Sequence, residues 1–186
     1  ELGMEYLDSA LPLFRKHSYG PGLVSLLNSL GRQYLEMGKL ADALAAHREA
    51  EAAAINPRSR AYTLLYLSDA LVTTGQTEEA LERLSEAEEI ARDMDIRMLQ
   101  AEVFQAQGDA LLHAGRFDEA LEAYGYADTT FEELGLAIEQ SETLHGMSRA
   151  LDGLAKTEEA VRYAVRAIEA VENHRAGLST PQLRGA

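Results

Sequence analysis

Cysteine is absent from this chain of 186 residues and basic side chains are scarce, with 17 Lys and Arg against 31 Asp and Glu and a formal net charge of −14. Each scarcity removes a class of function. Without cysteine there is no disulfide, no thiolate metal site and no Cys nucleophile, which suits a reducing compartment, and the cytoplasm is the expected location. Without clustered Lys and Arg there is nothing to hold the phosphates of nucleic acid or of anionic lipid, so a neutral or basic partner is expected instead. No apolar run approaches the roughly 20 residues that span a bilayer, and the opening Glu1-Leu2-Gly3-Met4-Glu5 lacks the basic start of a signal peptide. The first residue is Glu rather than Met, which gives the expectation of a piece of a longer protein. Catalytic signatures are missing too. The fourteen glycines are mostly singletons and form no phosphate cradle, and neither a Ser-His-Asp nor a Cys-His arrangement stands out. No catalytic residue, metal or cofactor is expected, and the chain reads as no enzyme.

The shortage of positive charge is uneven. Residues 156–186 hold five Lys and Arg and four Asp and Glu, which leaves residues 1–155 at net −15. The last helix and tail therefore differ in kind from the rest.

What is present is repetition. Gly38-Lys39-Leu40-Ala41-Asp42-Ala43-Leu44, Gly75-Gln76-Thr77-Glu78-Glu79-Ala80-Leu81 and Gly115-Arg116-Phe117-Asp118-Glu119-Ala120-Leu121 share one pattern, and Ala155-Lys156-Thr157-Glu158-Glu159-Ala160-Val161 keeps it without the glycine. The anchors are 37, 40 and 40 residues apart, the mark of a stacked repeat whose core is a strip between neighbours. Each anchor joins two helices: a glycine takes the left-handed conformation that ends one, and an acidic residue suits the start of the next, with Thr77 and Thr157 as candidate N-caps. The spacing predicts helices over 4–18, 22–37, 40–54, 58–74, 77–93, 97–114, 117–134, 137–154 and 157–174, and no strand. Small residues mark the packing seam: Ala43, Ala80, Ala120 and Ala160, then Ala50, Ala87, Ala127 and Ala167 seven residues later. A further set, Gly31, Ser68, Gly108 and Ser148, is followed three residues on by Tyr34, Leu71, Leu111 and Leu151. Phe14, Tyr34, Phe104, Tyr124 and Phe131 follow the packing register and are expected in the core. Residues 4–18 match a second helix without its first, and Pro12 should kink or shorten it.

The anchors, with a small residue before the turn and Ala-Leu after it, resemble the tetratricopeptide repeat (TPR) in a 40-residue form. The resemblance implies an all-α, right-handed α-solenoid of antiparallel helix pairs. The expected array covers 1–175, with the lone helix at 4–18 and repeats at about 22–57, 58–96, 97–136 and 137–174. The concave face usually binds a peptide or helix, and the repeats themselves perform no catalysis. Residues 170–184, through Arg175-Ala176, Leu178-Ser179, Pro181 and Leu183-Arg184, also resemble the segment that precedes a CHAT (caspase-like) protease domain, so 176–186 is expected to be a linker to a downstream domain.

The first helix of each repeat would line the concave groove. Helical projection selects Asn28, Arg32 and Leu35; Tyr62, Leu65, Tyr66 and Asp69; Glu102, Gln105, Asp109 and His113; and Glu142, His145, Arg149 and Asp152. Only Asn28 and Arg32 resemble the Lys, Arg and Asn clamp of TPR modules that hold acidic C-terminal tails, and Asp69 and Asp109 would repel a carboxylate. Asp109, His113 and His145 have metal-ligand character, but ordinary polar lining is the simpler reading. Tyr62 and Tyr66 form a candidate aromatic platform. The expected function is a protein-interaction module that regulates a longer protein, a CHAT-type protease being one form. The alternatives are the sensor region of a bacterial transcription regulator or signalling ATPase, and a structural or self-association scaffold. Partners are then a peptide, a protein, a neighbouring domain of the same chain or a second copy.

Overall fold

The computed structural model describes residues 2–16 and 20–179, and every regular element among them is a helix. In chain order these are α1 (Leu2–Lys16), α2 (Gly20–Glu36), α3 (Leu40–Ala53), α4 (Pro57–Thr73), α5 (Thr77–Asp93), α6 (Arg97–His113), α7 (Phe117–Leu134), α8 (Ala137–Gly153) and α9 (Thr157–Ser179). The chain divides into two compact units, residues 1–106 and 107–186, and the division falls within the span of α6.

One turn geometry recurs in both units. Gly38, Gly75, Gly115 and Gly135 have φ between 69° and 79°, and Asp95 and Ala155 take the same left-handed conformation at 53° and 57°. At each, two backbone bonds close the preceding helix. Gly75 N–H donates to the Val72 carbonyl at 2.9 Å and Gln76 N–H to that of Leu71 at 2.8 Å, and the pattern repeats through Ala155 to Asp152 and Lys156 to Leu151. Carbonyls that the helix end would otherwise leave open are thus satisfied. The residue after the left-handed one also caps the next helix, since the Gln76 carbonyl accepts from Ala80 N–H. That double duty displaces the expected caps: Thr77 and Thr157 are the first residues of α5 and α9, and the cap of α5 is Gln76, with no side-chain bond. Acidic residues fill the first turns of α3, α5, α7 and α9, where the helix dipole favours them. The turn before α4 is built otherwise. Ala54 is extended, the Asn56 side chain accepts from Ser59 N–H at 2.8 Å, and Pro57 occupies the first turn.

In the first unit α2 packs on α1, α3 and α4, and α4 also packs on α3 and α5. Leu64, Leu67 and Leu71 are fully buried, each worth about 1.5–3 kcal/mol of transfer free energy. Leu44 of α3 packs against Leu67, Leu71 and Ala80, which joins one helix pair to the next. In the second unit α8 packs on α7 and α9. All eight seam alanines are buried in their own units, so the backbones approach closely where these residues stand.

Three expectations differ from the structure. Tyr124 and Phe131 are fully buried, but Phe14, Tyr34 and Phe104 are only half-buried. Phe14 and Tyr34 pack against the cluster of Leu26, Leu30 and Ala46 and stay partly accessible at its margin. Pro12, exposed on its helix, lies inside α1 and does not end it, since the helix continues to Lys16. Finally α9 runs to Ser179, past the expected end at 174. Residues 180–186, the rest of the expected linker, lie outside the described residues.

Candidate functional site

The site begins with a buried polar frame in the first unit. His47 of α3 is wholly buried, and its ring fills the space beside Gly31, where a Cβ would fall 2.4 Å from Nε2. Asn28 donates through Nδ2 to Thr63 Oγ1 at 2.9 Å, and Thr63 donates to the Ser59 carbonyl at 2.8 Å. The Asn28 Oδ1 faces His47 Nδ1 at 3.2 Å, so Nδ1 carries the proton and donates. This leaves Nε2 as a bare lone pair with no hydrogen-bond partner. Burial, with a smaller push from the Arg32 charge, lowers the imidazole pKa to about 4 and keeps it neutral. The ring stacks on Tyr66 at 6.2 Å between centroids, and the Arg32 guanidinium lies 5.6 Å from the Tyr66 ring.

Above this frame a cavity of about 250 Å³ opens between α2 and α4. Pro21, Val24, Ser25, Asn28, Ser29 and Arg32 line it from α2, and Ser59, Tyr62 and Tyr66 from α4. Four residues selected from the sequence, Asn28, Arg32, Tyr62 and Tyr66, therefore meet at one place. Asn28 differs from its expected role: it is buried with both amide ends committed to the frame, and it serves as wall rather than as a free hand. Burial, reinforced by the Glu102 charge, raises the Tyr62 hydroxyl pKa, and Arg58 opposes the shift. The hydroxyl stays protonated, able to donate and to accept.

The other selected residues do not converge on the cavity. Leu35, Leu65, Glu102 and Gln105 are half-buried, and Asp69 is exposed. In the second unit Asp109, His113, Glu142, His145, Arg149 and Asp152 are exposed, and Asp109 accepts a 2.6 Å bond from the buried Tyr124 hydroxyl. That bond gives Asp109 a packing role. Among the described residues no three His, Asp or Glu side chains gather to hold a metal ion, and no helix is long and apolar enough to cross a membrane.

The missed members of the site had visible signals. Ser25 and Ser29 extend the expected Asn28 and Arg32 into a polar stripe at helical spacing on α2. His47 follows Gly31 by sixteen residues, as Tyr124 follows Gly108, and in both pairs the glycine makes room for the ring.

The fold is thus one of tetratricopeptide-like helix pairs, with short left-handed turns and small-residue seams. No family model and no curated protein matches the chain. Solved structures do. MamA protein is 21% identical, with 98% of this chain and 91% of MamA covered and a TM-score of 0.64. Aspartyl phosphate phosphatase F from Bacillus subtilis is 18% identical, covering 94% of this chain but 47% of its own, with a TM-score of 0.75. A Podosopora anserina putative kinesin light chain with nearly identical TPR-like repeats is 17% identical over 92% and 86%, with a TM-score of 0.72. At such identities the likeness concerns the fold.

Proposed function

We propose that the protein is a non-catalytic interaction module, and that the cavity between α2 and α4 anchors a side chain of a partner peptide or helix. The convergence of Tyr62, Tyr66 and Arg32 on one opening, over a frame of His47, Asn28 and Thr63, carries this reading. A binding site gains from walls that do not move, because little ordering entropy is then lost when the ligand arrives. Aromatic and Arg side chains are also the residues that most often dominate binding energy. The occupant fits as an apolar or aromatic side chain on the Tyr62 ring, with serine hydroxyls and Arg32 at the rim. The net charge of −14 favours a segment that is neutral or basic overall. Within this reading, residues 1–175 act as one array in a longer regulatory protein. A CHAT-type protease neighbour is the specific form suggested by the sequence of residues 170–184.

The test uses a photoreactive amino acid at Ser29 in the cavity or at Glu82 on α5, together with the variants Tyr62→Ala and Arg32→Ala. The same partner should crosslink from position 29 and not from 82, and each alanine should reduce its recovery at least severalfold. Equal recovery by the wild type and both variants would remove the cavity from binding. Tyr66 and Asp109 are poor probes, since one stacks on His47 and the other anchors Tyr124.

A further inference from the structure

The chain holds 31 Asp and Glu, yet no acidic side chain lines the cavity between α2 and α4. Two arginines stand at it instead. Arg32 lines it from α2 with its guanidinium over the Tyr66 ring, and Arg58, one turn before Tyr62 on α4, donates toward the Tyr62 hydroxyl. Arginines elsewhere in this unit are neutralised as a rule: Arg15 by Glu49, Arg48 by Glu79, and Arg60 and Arg83 by Glu51 and Glu86. Among the described residues neither Arg32 nor Arg58 has a carboxylate within ion-pair distance. The first turns of α2 and α4 hold no acidic residue either, so nothing offsets the positive helix ends beside the cavity. In a chain of net −14, a local excess of two positive charges at one opening is a departure that the packing of the unit does not require.

We infer that the side chain this cavity takes is a phosphotyrosine of the partner, its ring on Tyr62 and its phosphate between Arg32 and Arg58. The inference rests on the reading that the cavity anchors a partner side chain, and it names that side chain. Charge selects the anion. A phosphomonoester carries about −1.5 to −2 at pH 7 and offers three acceptor oxygens, which matches two guanidiniums, whereas one carboxylate would leave an arginine uncompensated. Position agrees. Asn28 bonds Thr63 and, one turn on, Arg32 lies over Tyr66, so α2 and α4 run in the same direction. Arg32 stands four residues after the Asn28 level and Arg58 five residues before the Thr63 level, or about 6 and 7.5 Å along the axes, so the two approach the middle of the cavity from opposite ends. Hydroxyls complete the donor set there. Ser29 and Ser59 donate to backbone carbonyls, but the Ser25 hydroxyl is available, and that of Tyr62 stays protonated. The ring selects the ester, since Tyr62 and Tyr66 give an aromatic side chain a surface that a phosphoserine cannot use. Residues flanking the phosphotyrosine meet a surface that is acidic beyond the cavity, and are neutral or basic.

A peptide array probed with the 186-residue chain tests it. Each spot carries tyrosine, phosphotyrosine, phosphoserine or glutamate at one central position, within varied neutral and basic flanks. Phosphotyrosine should be retained above the other three. With the best phosphotyrosine peptide in solution, fluorescence anisotropy should show the dissociation constant rising about tenfold for Arg32→Ala and for Arg58→Ala, and phenyl phosphate should displace the peptide at a lower concentration than inorganic phosphate does. Both arginines are exposed, so circular dichroism should find the helices of the two variants intact. Equal retention of tyrosine and phosphotyrosine, or affinity indifferent to both arginines, overturns the inference and leaves an uncharged anchor. Equal retention of phosphoserine or glutamate overturns the aromatic ester. Retention of no peptide overturns the inference as well, and crosslinking from position 29 then decides separately whether the cavity binds a partner at all.

Discussion

His47 in the first unit and Tyr124 in the second occupy the same position, nine residues after their anchor glycines, yet their surroundings are built in opposite ways. Each ring presses against a glycine of its own repeat, Gly31 or Gly108. The other wall comes from the next repeat, nine residues before its anchor. In the first unit that wall is Tyr66, stacked on the smaller imidazole. In the second it is Gly146, where a Cβ would sit 2.5 Å from Tyr124 Cζ. Bulk has moved from the wall to the plug, and the total is conserved because packed interiors tolerate neither a void nor a clash. The exchange bears on function. With the bulk on the wall, Tyr66 reaches the α2/α4 cavity and helps to line it. With the bulk in the plug, the tyrosine is consumed inside and its hydroxyl holds Asp109. One packing rule thus yields an aromatic cavity in one unit and a closed seam in the other.

The sharpest break of this comparison is Tyr124→Ala. It removes a wholly buried ring between two glycines that cannot fill the space, and should cost about 4 kcal/mol in urea unfolding.

Acid comes next and separates the two positions by chemistry. His47 has a folded pKa of about 4 against about 6.5 in the unfolded chain, so protonation favours unfolding. Its contribution is complete above pH 6.5 and is lost as pH falls from there to about 4, up to about 3 kcal/mol. Tyr124 contributes nothing in this range, because burial and then the Asp109 charge push its hydroxyl pKa further up. Leu84 fills the equivalent position in the second repeat, which makes His47→Leu a natural control. Stability of the wild type minus that of His47→Leu should fall between pH 6.5 and 4, and parallel curves would disprove the assignment.

A smaller effect tests complementarity. Gly31→Ala drives a Cβ to within 2.4–2.7 Å of three atoms of the His47 ring and should cost about 2 kcal/mol. In a His47→Ala background the same change should cost far less, so a double-mutant cycle should show coupling above about 1 kcal/mol. Additive losses would mean that the ring moves aside freely.

The repeat register made much of this legible. The glycine turns, the seam alanines and helix ends within a few residues of those observed follow from periodicity and backbone chemistry. Side-chain surroundings within a helix are less legible, because helical projection gives a direction and not a neighbour. Asn28 points where a groove residue points, but His47 and Thr63 come to meet it from α3 and α4 and draw it inside. Asp109 projects to the groove face of α6, and its bond to Tyr124 depends on where α7 comes to lie. His47, a histidine on an acidic helix, reads as surface until Gly31 is seen opposite it.

The smallest effect compares the turns of the two units. Gly38 and Gly75 in the first unit reach φ of 71° and 79° without a side chain, while Ala155 in the second holds 57° with a Cβ that crowds the backbone. Both of its turn bonds are intact, at 2.9 Å from Ala155 N–H to the Asp152 carbonyl and 2.9 Å from Lys156 N–H to that of Leu151. The turn is therefore formed against a local penalty of roughly 1–2 kcal/mol, which the packing of α8 on α9 supports. Ala155→Gly should relieve part of that penalty and give part of it back through the greater freedom of glycine in the unfolded chain, for a net gain of about 0.5–1 kcal/mol. Gly75→Ala should lose a similar amount, since no atom lies within 4 Å of its missing Cβ and only the backbone conformation resists the change. Thermal melts of the two variants should shift in opposite directions. If Ala155→Gly lowers the melting temperature, the alanine makes a contact that offsets its strain, and the turns of the two units are not equivalent.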